Sequence, residues 1–204
     1  MIAHGFPAAA PTTTSRPGVT ALMDDSTKLG TVLWPAILVV AAVVGSLALT
    51  CVIPFAAFAV ATAGTLRLRS ALGTMAVMWL INQAVGFGAL GYPWTLNTVL
   101  WGLAIGAAAL SATFAASEAL HRFRSSPAWV RLPMAFVIAF VLYEVALIAV
   151  AVPLGGVAAF APAIVGRFAL ISGAWLAGLV LLHEVLAAWV QPQLGAPSRL
   201  VGAS

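Results

Sequence analysis

The chain has 204 residues, 63% of them hydrophobic and only 7% charged, with a formal net charge of +4. A soluble domain carries about 25% charged residues, so a chain this poor in charge cannot cover a water-facing surface and is suited to lipid instead. One cysteine excludes an intrachain disulfide and a cysteine-based zinc site, and the basic residues lie in short loops rather than in a patch that would bind nucleic acid.

Apolar runs of around 20 residues recur along most of the length, which is the signature of transmembrane helices. They are continuous, whereas barrel strands would alternate. The predicted fold class is an all-α polytopic membrane bundle. Residues 1–30 are of a different material, with Pro7, Pro11, Thr12 to Thr14, Ser15 and Pro17, and read as a disordered cytoplasmic tail. The tail lacks the charged start and short apolar core of a signal peptide, and Met23 is a second candidate start.

The run from Thr31 to Leu66 is 36 residues long, about 54 Å as one helix, against a hydrocarbon core of about 30 Å. It divides into a first span over 32–50, a break at Cys51–Pro54, and a short second helix over 54–66, where Pro54 suits a first helical turn. A single tilted, kinked helix is the rival reading. A third span over 70–90 ends at Gly91-Tyr92-Pro93-Trp94, a fourth covers 95–118, a fifth 133–153, and the last 162–190, closed by Gln191-Pro192. The membrane domain is thus 31–191, with a cytoplasmic tail over 192–204.

Lysine and arginine mark cytoplasmic loops. Placing Arg67, Arg69, Arg122, Arg124 and Arg131 inside puts Tyr92–Trp94 and Pro153–Gly156 outside. Six spans then leave both termini in the cytoplasm of a bacterial inner membrane. Five would move the amino terminus outside.

Polar groups inside a membrane are costly and are functional candidates. In this topology Cys51 lies near the outer surface, Asn82 and Gln83 lie about 18 Å up the third span, and Tyr143 and Glu144 sit near mid-depth on the fifth. Arg167 enters from outside on the sixth, within reach of an ion pair with Glu144. With Tyr92 and Trp94 these residues would line one outward pocket. Each also has a plain structural explanation: a lone cysteine is often just a small buried residue, amides hold helices together, and terminal aromatics anchor at the interface. Gly102-xxx-Gly106, Ala41-xxx-Gly45 and Ala42-xxx-Ser46 are small-residue patterns of close helix packing.

Ordinary enzyme chemistry finds little support. Ser172 and His183 are eleven residues apart on one predicted helix, about 16 Å by rise, too far for a dyad. The histidines His4, His121 and His183 show no metal-ligand spacing. No phosphate-binding loop of the Walker type is present, so an ATP-driven step belongs to another chain.

The segments Cys51-Val-Ile-Pro54-Phe55, Trp79-Leu-Ile-Asn82-Gln83, Gly86-Phe87-Gly88 and Gly91-Tyr92-Pro93-Trp94 resemble the BtuM-type vitamin B12 uptake proteins. These are related to the substrate-binding components of energy-coupling factor transporters. The resemblance covers roughly 32–190. It implies a cobalamin ligand whose cobalt is held by the Cys51 thiolate, with a soft donor suited to that metal, and it leaves room for removal of the cyano group from cyanocobalamin. It also implies a transmembrane coupling subunit with ATPases, docked on a face of small residues that maps to Ala41, Ala42, Gly45 and Ser46. Two readings stand beside it: a non-catalytic accessory subunit packed inside a larger membrane complex, and a binder of another small molecule.

Overall fold

A computed structural model describes residues 32–45 and 53–194. Side chains are described as far as residue 189. The chain divides into two compact units, Met1–Ile37 and Leu38–Ser204; of the first, only residues 32–37 are among those described.

Six helices form an all-helical bundle, and no strand occurs among the described residues. They are α1 (Val32–Gly45), α2 (Phe55–Thr65), α3 (Leu68–Ala84), α4 (Leu96–Arg122), α5 (Ala128–Leu154) and α6 (Pro162–Leu194). Four are long and apolar enough to cross a membrane: α3 with its extension to Ala89, α4, α5, and α6 over Pro162–Trp189. The short second helix is present: α2 has 11 residues, about 16 Å, roughly half of a hydrocarbon core.

α2 is the hub. Every residue from Phe55 to Thr62 is buried, and the helix touches α3, α4, α5 and α6. A helix apolar all round is a core helix, and its alanines let four neighbours approach. The Thr62 hydroxyl donates to the Phe58 carbonyl at 2.8 Å, satisfied within its own helix. α4 also touches this hub, and its buried residues are small: Gly102, Gly106, Ala108, Ala109, Ala112, Thr113, Ala116 and Ala119.

The expected close packing at Gly102 and Gly106 is explained by α3. A Cβ on Gly106 would stand 2.5 Å from Cε2 and 2.7 Å from Nε1 of Trp79, and one on Gly102 would collide with Oε1 of Gln83. Trp79 and Gln83, one turn apart, thus fill the two notches that the glycines leave. The Trp79 indole N–H also donates to the Gly102 carbonyl at 2.8 Å.

Two boundaries differ from expectation. α5 begins at Ala128 rather than at Pro133, because Pro127 stands at the cap and Pro133 is accommodated inside the helix. α6 carries through Pro192 to Leu194 rather than closing at Gln191-Pro192; a proline this near the end forfeits only one helical hydrogen bond. The break at Cys51 lies in 46–52, outside the described residues, as do both tails.

Antiparallel succession puts two kinds of surface at opposite ends of the second unit. The α2–α3 and α4–α5 junctions share one end, where a Cβ on Gly64 would lie 3.6 Å from Leu120; this end carries Arg67, Arg69, Arg122, Arg124 and Arg131. The other end holds Ile53, the α3–α4 connection and the α5–α6 connection.

Candidate functional site: a cavity opposite the arginine cluster

The end of α3 departs from α-helical winding. Val85–Ala89 form a π-helix, a feature frequent at functional sites. The chain then folds back: the Tyr92 N–H donates to the Gly86 carbonyl at 3.0 Å, and a Cβ on Gly86 would stand 3.0 Å from the Tyr92 ring. Gly91 makes the reversal at φ +66°, a conformation that favours glycine. On the other side, Gly155 and Gly156 turn the chain between α5 and α6 at φ +83° and +107°. This turn is tied to α4 by a hydrogen bond of 3.4 Å from Asn97 Nδ2 to the Leu154 carbonyl.

Between these two turns lies a cavity of about 370 Å³, within the range of small-molecule sites. Ile53 and Phe55 at the start of α2 form its floor, Trp101 and Ile105 of α4 one wall, and Tyr143, Glu144 and Leu147 of α5 another. Asn82 of α3 enters beside Trp101, and Phe160, Ile164, Val165 and Phe168 close the α6 side. The Phe55 and Tyr143 rings are tilted at 6.2 Å between centroids. A smaller chamber of about 140 Å³ adjoins it, sharing Asn82, Trp101 and Ile105 and adding Gln83, Tyr92 and Thr98.

Asn82, Tyr143 and Glu144 therefore meet at the main cavity, and Gln83 and Tyr92 at the adjoining one. Trp94 stands apart: it is 77% exposed and stacks on Phe87 at 4.4 Å between centroids, as an interface anchor would. Arg167 is exposed and lines neither cavity. The expected ion pair is not made; among the described residues no cation lies within ion-pair distance of Glu144. Helical rise fixes depth, but rotation about α6 turns Ile164, Val165 and Phe168 to the cavity and leaves Arg167 outside.

Ala42 is 1% exposed, and a Cβ on Gly45 would stand 3.2 Å from the Trp175 ring, so both small residues are taken up inside the chain. Ala41 lines a shallow groove with Trp175 and Gly178 of α6. Cys51 and Ser46 lie outside the described residues. No group of three or more metal-ligating side chains occurs among the described residues.

Sequence reasoning missed Phe55, Trp101, Phe160 and Phe168 as cavity walls. In a membrane span, an apolar side chain facing lipid and one facing a cavity carry the same hydropathy, so no signal separated them. Comparison with protein-family models, characterised proteins and solved structures gives no match for this chain.

Proposed function

We propose that the protein is a membrane-embedded substrate-binding component with its ligand site at the cavity end, opposite the arginine cluster, and that its substrate is cobalamin. The observation that carries the first part is the cavity itself, an apolar chamber into which α3 and α5 bring three polar side chains, Asn82, Tyr143 and Glu144. An aromatic-walled chamber with a few convergent polar groups is the usual form of a ligand site. The second part rests on the sequence motif: Ile53, at the cavity, follows Cys51 by two residues, and a thiolate there would be the soft donor for cobalt. The site faces outward from a bacterial inner membrane, both termini are cytoplasmic, and uptake is driven by a coupling subunit and ATPases on other chains.

The experiment is the visible spectrum of cobalamin mixed with purified protein, repeated with Cys51→Ala. Thiolate coordination changes the corrin bands with wild type and not with the variant. An unchanged spectrum with wild type removes cobalamin coordination by Cys51.

A further inference from the structure

Glu144 is 8% exposed and lines the cavity, yet among the described residues no hydrogen-bond donor or cation contacts its carboxyl. Some 90% or more of buried polar groups are hydrogen-bonded, and ionisable groups in membrane spans are expensive unless they pair. Thr113 and Trp79 follow that rule, the Thr113 hydroxyl donating to the Ala109 carbonyl at 2.8 Å and the Trp79 indole N–H to the Gly102 carbonyl, whereas the buried Ser172 hydroxyl has no partner among the described residues. Glu144, unlike Ser172, is ionisable, and it lines the cavity.

The walls opposite are aromatic. Phe55, Trp101, Tyr143 and Phe168 surround the space; the faces of such rings carry negative potential and attract a cation within about 6 Å. Arg167, the nearest basic residue in sequence on the facing helix, is exposed and outside the cavity. A carboxyl among aromatic rings, without a cation of its own, is complementary to an organic cation.

We propose that Glu144 anchors a protonated nitrogen, a primary ammonium on an apolar body small enough for the cavity, with the rings of Phe55, Trp101 and Phe168 around it. This rests on the cavity being a ligand site but not on cobalt or Cys51. The test is calorimetric titration of the full chain in zwitterionic nanodiscs, with empty nanodiscs subtracted, using benzylammonium, benzyl alcohol and benzoate. Wild type should bind benzylammonium at least about tenfold more tightly than the isosteric alcohol and reject benzoate, since a charge-assisted hydrogen bond contributes about that much. Glu144→Gln should lose that preference, whereas Glu184→Gln, at an exposed position on α6, keeps it. An ammonium bound no better than the alcohol by wild type overturns the proposal without reference to any variant. So does a Glu144→Gln protein that is folded by circular dichroism and retains wild-type preference. Failure of the cobalamin spectrum would leave this ligand series unaffected.

Discussion

Gly102 and Gly106 face Gln83 and Trp79 of α3 so closely that a Cβ at either position would collide with those side chains. Gly106→Val should lower the thermal midpoint in detergent by the equivalent of about 1–3 kcal/mol, the usual cost of overpacking. Gly73→Ala is the matched control: a Cβ there meets nothing within 4 Å, so the change should be neutral or stabilise by about 0.5–1 kcal/mol through helix propensity. Equal losses at both positions would mean that the notches are not what holds the two helices. The small-residue spacing was legible in the sequence as a close approach. Which side chains filled it was not, because spacing on one helix carries no information about the rotation of its neighbour. The same limit explains the site. Asn82, Tyr143 and Glu144 stood out because polar atoms are rare in these runs, and the structure brings them to one cavity. Arg167 stood out equally, but rotation about its helix axis turns it away.

At the scale of elements, the length of the run from Thr31 to Leu66 set against bilayer thickness was enough to predict a short second helix, and α2 is that helix. Its position at the centre was not legible. Hydrophobic on every side is what a lipid-facing span and a fully enclosed one have in common, and only the packing of α3 to α6 around it distinguishes them. Phe58 of α2 is fully buried and tilted against Trp175 at 5.9 Å between centroids, whereas Phe114 of α4 is 52% exposed. Phe58→Ala should therefore cost about 3–5 kcal/mol, and Phe114→Ala much less, measured as loss of the folded fraction on titration with a denaturing detergent. Comparable losses would remove α2 from the core. Glycines mark both turns that bound the cavity, and these were visible as Gly91 and Gly155-Gly156. The π-helical winding of Val85–Ala89 was not, since nothing in Gly86-Phe87-Gly88 distinguishes it from α-helical continuation.

The second unit is electrically asymmetric. Arg67, Arg69, Arg122, Arg124 and Arg131 gather at one end and the cavity opens at the other. The positive-inside rule makes the arginine end the one expected to face the cytoplasm. In cells carrying a Cys51→Ser background, a membrane-impermeant maleimide should label Ala158→Cys from outside and leave Ser125→Cys untouched until the membrane is opened. The reverse pattern would turn the cavity inward. Trp94 at the cavity end and Trp129 at the arginine end are 77% and 78% exposed, consistent with aromatic anchors at two interfaces.

The enclosed position of α2 also has a consequence in time. A ribosome delivers the chain from the amino terminus at about 5–20 residues per second. The last of the helices that enclose α2 begins at Pro162, well after α2 ends at Thr65, so that partner emerges several seconds later. During that interval an eleven-residue helix too short to span the bilayer must be held in the membrane without its final neighbours. α3, joined to it by Leu66-Arg67, follows at once and is long enough to cross. The later spans, α4 to α6, then close over a helix already flanked by α3.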